Sequence, residues 1–232
     1  MIQPERIQPL NDANACRGRF VLYWMQAAQR AEWNHALEFA IEQANERGQP
    51  LVALFGLTAA YPEANFRHYA FLLEGLRETE AALRGRGIQL VVRRQSPEQA
   101  AAEMARDASL LVTDRGYVRL QRRWREHVAL HALCPVVQVE TDVVVPVDVV
   151  SRKEEYAAAT IRPKLHRHLA RFLVPLAERP LRKDSLGLRL GGIRLANLDA
   201  VLASLDVDRS VPPQSFFLGG TARAKAWLDG FL

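Results

Sequence analysis

The chain has 232 residues, a net charge of +5, and 49% hydrophobic against 25% charged residues. That balance is ordinary for a globular protein and excludes a collagen, a coiled coil or a disordered chain. The longest apolar runs, LVALFGLTAAYP from Leu51 and VVVPVDVV from Val143, are too short and too interrupted to span a bilayer, so no membrane partner is expected. The polar start MIQPERIQPLNDANACRGR has no apolar stretch of the secretory kind. Cys16 and Cys134 stand far apart, without CxxC spacing or a histidine cluster, which argues against a disulfide scaffold or zinc site and fits a reducing cytoplasm. Of the 31 basic residues 27 are arginine, a modest positive balance that is compatible with a polyanion without specifying one.

After a polar arm over 1–18, FVLYW (20–24) suits a strand buried on both faces. Trp33, Ala36, Leu37, Ala40, Ile41 and Ala44 recur at helical spacing, predicting a helix over 32–47 that Gly48 and Pro50 end. LVALF (51–55) is a second strand, and Tyr69, Leu72, Leu73, Leu76 and Leu83 stripe a helix over 64–84. IQLVVR (88–93) follows as a third strand, then a short helix with Ser96 as N-cap and Pro97 at its first position. SLLVT (109–113), a helix over 117–132 and PVVQVE (135–140) complete the pattern. Five strands alternating with helices predict a doubly wound five-stranded parallel α/β sheet over 19–145, covered on both faces.

The character changes beyond it. The stretch from Ser151 has no strand pattern and contains Pro163, expected to interrupt a helix there; 180–210 is rich in Gly and Arg, and a helix is expected from Thr221. Trp227, Leu228, Phe231 and Leu232 on that last helix need a surface to pack on, either self-association or a further domain. Residues 146–232 therefore read as a connector.

In open α/β sheets ligands sit beyond the carboxyl ends of the strands, where the strand order reverses. The loop from Trp24 through Met25 and Gln26 to Arg30 has no glycine, which speaks against a dinucleotide fingerprint, and GxxxxGK[ST] is absent. An aromatic, a thioether and long polar side chains suit a flat organic ring better than a triphosphate. Asp114 follows a strand, placed either to orient a ligand or to cap the next helix and pair with Arg115 or Arg119. His166 and His168, two residues apart, fall on different sides of a helix and do not suggest a metal pair. Arg122-Arg123-Trp124-Arg125 mixes cations with an aromatic as nucleic-acid surfaces do, although an amphipathic helix with Trp124 in the core reads the same way.

VLYWMQAAQRAEWNHAL (21–37), FGLTAAYPEANFRHYAFLLEGL (55–76) and KEEYAAATIRPKL (153–165) resemble the class II cyclobutane-pyrimidine-dimer photolyases, light-driven DNA repair flavoenzymes. The likeness runs from about Arg19 to Leu173, and more loosely over FFLGGTARAKAWLDGFL at the end. It implies an N-terminal α/β antenna domain, a connector, and the start of a helical domain that carries FAD and binds damaged DNA in the complete protein. No residue of this chain then counts as catalytic, and the chain alone is expected to be inactive in repair. What it implies for the chain itself is a light-harvesting chromophore of the 8-hydroxy-deazaflavin type. Trp24, Met25, Arg30, Phe55 and Gly56 match family motif positions, and Asp114 and Arg115 join them if their loop faces the first. By the same likeness Arg162 and Lys164 either contact DNA or flavin phosphates or serve helix packing and ion pairing with the helical domain, an interface where Tyr156 and Leu165 would pack. The alternative is a stand-alone photolyase-derived α/β module binding a flavin, a nucleotide or a protein.

Overall fold

The computed structural model describes residues 2–232. In chain order the main elements are β1 (Ile7–Pro9), β2 (Phe20–Trp24), α1 (His35–Arg47), β3 (Leu51–Gly56), α2 (Phe66–Gly85), β4 (Gln89–Arg93), α3 (Pro97–Ala105), β5 (Ala108–Asp114), α4 (Arg119–His131) and β6 (Val136–Val139). Four helices follow: α5 (Val147–Val150), α6 (Ala158–Phe172), α7 (Leu198–Ala203) and α8 (Thr221–Phe231).

The sheet runs in the order β1-β6-β5-β2-β3-β4. All pairings are parallel except β1 with β6, so the expected doubly wound core is present with one strand more than the sequence pattern showed. Along β2, Val21 and Tyr23 face the α1 and α2 side while Phe20, Leu22 and Trp24 face α3 and α4. Both faces are covered, which is why the strand is apolar at every position rather than alternating.

The added strand comes from the arm. Ile7, Gln8 and Pro9 pair with Val139, Gln138 and Val137. Arg6 anchors the arm: it is buried, and its guanidinium donates to the carbonyls of Glu140 (3.1 Å), Val143 (3.0 Å) and Val144 (2.5 Å). A three-residue edge strand that includes a proline carries almost no periodicity, so an arm is what its sequence resembled.

Two helices start later than their apolar spacing suggests, for one physical reason. Trp33 (φ 50°) and Glu63 (φ 61°) lie in the left-handed region, which breaks helical geometry just before Asn34 and Asn65. Asn34 then caps α1, its side chain accepting from Leu37 N at 2.9 Å. α6 runs through Pro163 instead of stopping there: the ring lies near the helix start and forfeits a single bond, to Ala159.

The connector folds back onto the sheet. Ile193 N–H bonds Val92 O (2.9 Å), covering the outer edge of β4, and Leu195, Val201, Leu202 and Leu205 join the core on the α1 and α2 side. Residues 185–205 are thus continuous with the α/β core. α8 lies on α2, where Gly219 N–H and Ala222 N–H donate to Glu74 and Glu78, both at 2.7 Å. Its Trp227, Leu228, Phe231 and Leu232 stay exposed beside Phe216 and Phe217. Tyr156 is exposed, and Lys164 pairs with Glu155.

His35 opens α1 with its Nδ1 buried and without a partner. Burial, and behind it the Arg6 and Arg30 cations, pushes the imidazole from 6.5 to about 4. Between those values the unfolded chain binds a proton that the folded one refuses, so this contribution to stability is full above pH 6.5 and is lost as pH falls toward 4. Thermal melts are expected to show that loss, and His35→Gln to flatten it; an unchanged acid profile in the variant would contradict the assignment.

Candidate functional site

The strand order reverses between β2 and β5, whose neighbours lead away in opposite directions. Asp114, the last residue of β5, is fully buried there. Its Oδ1 accepts from Gln26 N (2.8 Å) and from the Tyr23 hydroxyl (3.2 Å); its Oδ2 accepts from Ala27 N and from Ala28 N (3.0 Å). Burial raises the carboxyl above its ordinary value, while the backbone N–H groups of Gln26, Ala27 and Ala28 pull it back. Tyr23 in turn accepts from Asn34 Nδ2 (2.9 Å), and the same amide nitrogen donates to Arg30 O (2.9 Å). One carboxylate and one amide therefore shape the whole loop from Met25 to Asn34.

That loop forms one wall of a cleft of about 520 Å³ at the carboxyl ends of β2 and β3. Met25, Gln26, Ala27 and Gln29 line it from the first loop, and Phe55, Gly56, Leu57 and Thr58 from the second. Tyr61, Pro62, Glu63 and Ala64 form the rim, with His68, Tyr69 and Leu72 of α2 on one side and Gln121 and Trp124 of α4 on the other. Tyr61 meets Trp124 edge to face, centroids 6.1 Å apart, and Tyr69 donates to Thr58 O at 2.7 Å, fastening the rim to α2. Gly56 is required by packing, because a Cβ there would stand 2.5 Å from Pro97 Cα at the start of α3. Arg125, buried behind the cleft, donates to Gln26 Oε1 (2.6 Å) and Gly116 O (2.7 Å), which fixes the Gln26 amide. Desolvation lowers that guanidinium to about 10.

The lining combines large rings and a thioether with a few polar groups. Of the residues expected at a site, Met25, Phe55 and Gly56 line this cleft. Asp114 lies one layer below as the buried acceptor of the first loop; it neither caps α4 nor pairs with Arg115 or Arg119. Trp24 is buried on the α3 and α4 face of the sheet among Phe20, Leu22 and Leu54, outside the cleft lining, with its indole N–H unpartnered. Arg30 turns outward to Asp142 (2.8 Å) and Trp33 O (3.2 Å). Arg115 pairs with Asp148 (2.7 Å) and Glu140 (3.6 Å) beyond the opposite edge of the loop. Among the lining residues outside that expectation are Gln29, Tyr61, Glu63, His68, Gln121 and Trp124. Three of them stand within FGLTAAYPEANFRHYAFLLEGL, the motif already singled out, while Trp124 both packs against the core and lines the cleft. Among the described residues no cluster of three or more histidines, cysteines or carboxylates could hold a metal, and no helix is long and apolar enough to cross a membrane.

A family model described as DNA photolyase matches residues 21–181. The chain belongs to the DNA photolyase family. It is 47% identical over 233 residues to a deoxyribodipyrimidine photo-lyase of Methanothermobacter thermautotrophicus, covering 100% of this chain and 51% of that protein. A deoxyribodipyrimidine photo-lyase of Potorous tridactylus is 30% identical over 215 residues, 91% of this chain and 40% of the relative. This photolyase-family chain thus spans about half the length of the curated relatives it matches. Among solved structures it resembles a Synechocystis cryptochrome (TM-score 0.68, 14% identity, 93% of this chain and 46% of that one). It also resembles an archaeal photolyase from Sulfolobus tokodaii solved with two FAD molecules and described as implying a novel light-harvesting cofactor (TM-score 0.64, 15% identity, 90% and 45%).

Asp114→Asn keeps the shape of the side chain but turns an amide NH₂ toward backbone donors. Because bonds to a charged acceptor contribute about 1.5–3 kcal/mol each, a loss of roughly 2–4 kcal/mol is expected. Urea unfolding measures it; a shift within about 0.5 kcal/mol would deny Asp114 the role of holding the loop.

Proposed function

We propose that the cleft is an antenna site, which holds a planar light-harvesting chromophore of the flavin or deazaflavin type. The observation that carries this reading is a slot between Met25, Phe55 and the Tyr61–Trp124 pair, open at the carboxyl ends of the strands and preformed by the Asp114-bound loop. Its volume falls within the roughly 300–1,000 Å³ typical of small-molecule and cofactor sites. A bound chromophore would supply absorption of light, and the chain's residues would supply its position: ring faces against Trp124 and Met25, ring edge against Gln29 and His68. The light-harvesting cofactor ascribed to the Sulfolobus tokodaii photolyase supports the assignment by likeness of fold.

For the complete protein, the proposed activity is that of its relatives: light-dependent splitting of pyrimidine dimers in damaged DNA, with FAD as the working cofactor. In that scheme this α/β unit gathers light, and none of its side chains takes part in bond cleavage. A cytoplasmic location follows from the same reading.

The test is a titration of the 232-residue chain with 5-deazariboflavin and with riboflavin, followed by quenching of tryptophan fluorescence. Saturable one-to-one binding is expected, weakened at least about tenfold by Trp124→Ala, since stacking on an aromatic face contributes ~1–3 kcal/mol. A chain that binds neither compound would overturn the antenna assignment.

A further inference from the structure

We propose that His127 and His131 on α4 form a paired-imidazole site for a transition-metal ion of the Zn²⁺, Ni²⁺ or Cu²⁺ kind. Neither residue lines the cleft, so the site is independent of the antenna reading.

The two residues stand four apart on α4, the spacing that puts side chains one above the other on a helix face. Their rings face each other, with centroids 4.1 Å apart and planes 26° from parallel. Two histidines at this spacing are how helical zinc sites present a pair of ligands from one face. Both side chains are exposed, so water can fill the remaining positions around an ion.

The tautomer of His131 is set as a ligand needs it. Its Nδ1 lies 2.7 Å from His127 O, and a carbonyl only accepts, so Nδ1 carries the hydrogen. In the neutral ring Nε2 then holds the lone pair. A ring N–H tied to a backbone carbonyl is the usual outer support of a metal-bound imidazole: it fixes the ring and raises the basicity of the other nitrogen. Here the supporting carbonyl belongs to the other member of the pair.

The surroundings select the ion. Among the described residues no carboxylate or thiol joins the pair to make a set of three protein ligands. Arg123 stands one turn before His127 on the same helix and adds positive charge. Mg²⁺ and Ca²⁺, which require oxygen ligands, have nothing there to hold them, whereas imidazole nitrogen suits Zn²⁺, Ni²⁺ and Cu²⁺. A bound ion would also steady the helix. Along α4 only Arg125 and Val128 are buried, and the helix ends at Ala132 in an extended conformation, without a left-handed glycine. Bridging residues 127 and 131 ties its last two turns together, so the folded chain gains stability by mass action.

The experiment titrates the 232-residue chain with Ni²⁺ and with Mg²⁺ by calorimetry, in native form and as His127→Asn, His131→Asn and His166→Asn. A saturable site for Ni²⁺ and none for Mg²⁺ is expected in the native chain. Each substitution on α4 should weaken Ni²⁺ at least about tenfold, since loss of even a supporting group costs roughly 10–100-fold. His166→Asn, on α6, should leave the affinity unchanged. Thermal melts give a second reading: Ni²⁺ should raise the midpoint of the native chain but not that of His131→Asn, whose own melt shows that it folds. Absence of Ni²⁺ binding, or binding that His127→Asn and His131→Asn leave unchanged, would overturn the proposal.

Discussion

A single buried carboxylate organises the functional end of this sheet. Asp114 closes β5 at the switch in strand order and receives three consecutive backbone N–H groups, Gln26, Ala27 and Ala28, together with the Tyr23 hydroxyl. A loop turning away from a strand end leaves amide donors without sheet partners, and burying them unpaired would cost about 1–3 kcal/mol each. Asp114 satisfies them in one place and obtains in return the solvation that burial took from it. The loop can therefore lie flat against the sheet without glycine, and Met25 and Gln29 face a cleft instead of filling it.

The strands and helices were legible because each is long and covered on both faces: FVLYW, LVALF and SLLVT have no exposed side and so no polar position. Helix starts were less so, since nothing in the residue types of Trp33 or Glu63 announces a left-handed backbone. A small part of the cleft was readable from position alone, through Met25, Phe55 and Gly56. The rest was hidden by the two-sidedness of a strand. Trp24 and Met25 are neighbours in sequence, yet consecutive side chains leave a strand on opposite faces, and only one can reach a given cleft. Trp24 is buried between the sheet and the α3–α4 layer, whereas Trp124, a hundred residues later on α4, packs against the same cluster and also lines the cleft. Arg30 and Arg115 pair with Asp142 and Asp148, outside the cleft lining.

The remainder of the chain is explained by the need to close a sheet. β1 covers the free edge of β6 and the Ile193 segment covers that of β4, so both edges of the parallel core are protected from pairing with other chains. Both covers are short and irregular, which is why neither read as a strand. The aromatic surface of Phe216, Phe217 and Trp227 stays open on α8, and the chain spans about half the length of its relatives in the photolyase family.

In the proposed antenna role, the Asp114-held loop presents a preformed slot for a flat chromophore between Met25 and Trp124. A crystal structure of the 232-residue chain with 5-deazariboflavin tests it most directly. The ring is expected stacked between those two side chains, with residues 25–34 unmoved and Asp114 still bonded to all three amides. A ring found elsewhere, or a loop rebuilt away from Asp114 to admit it, would rule out the preformed slot.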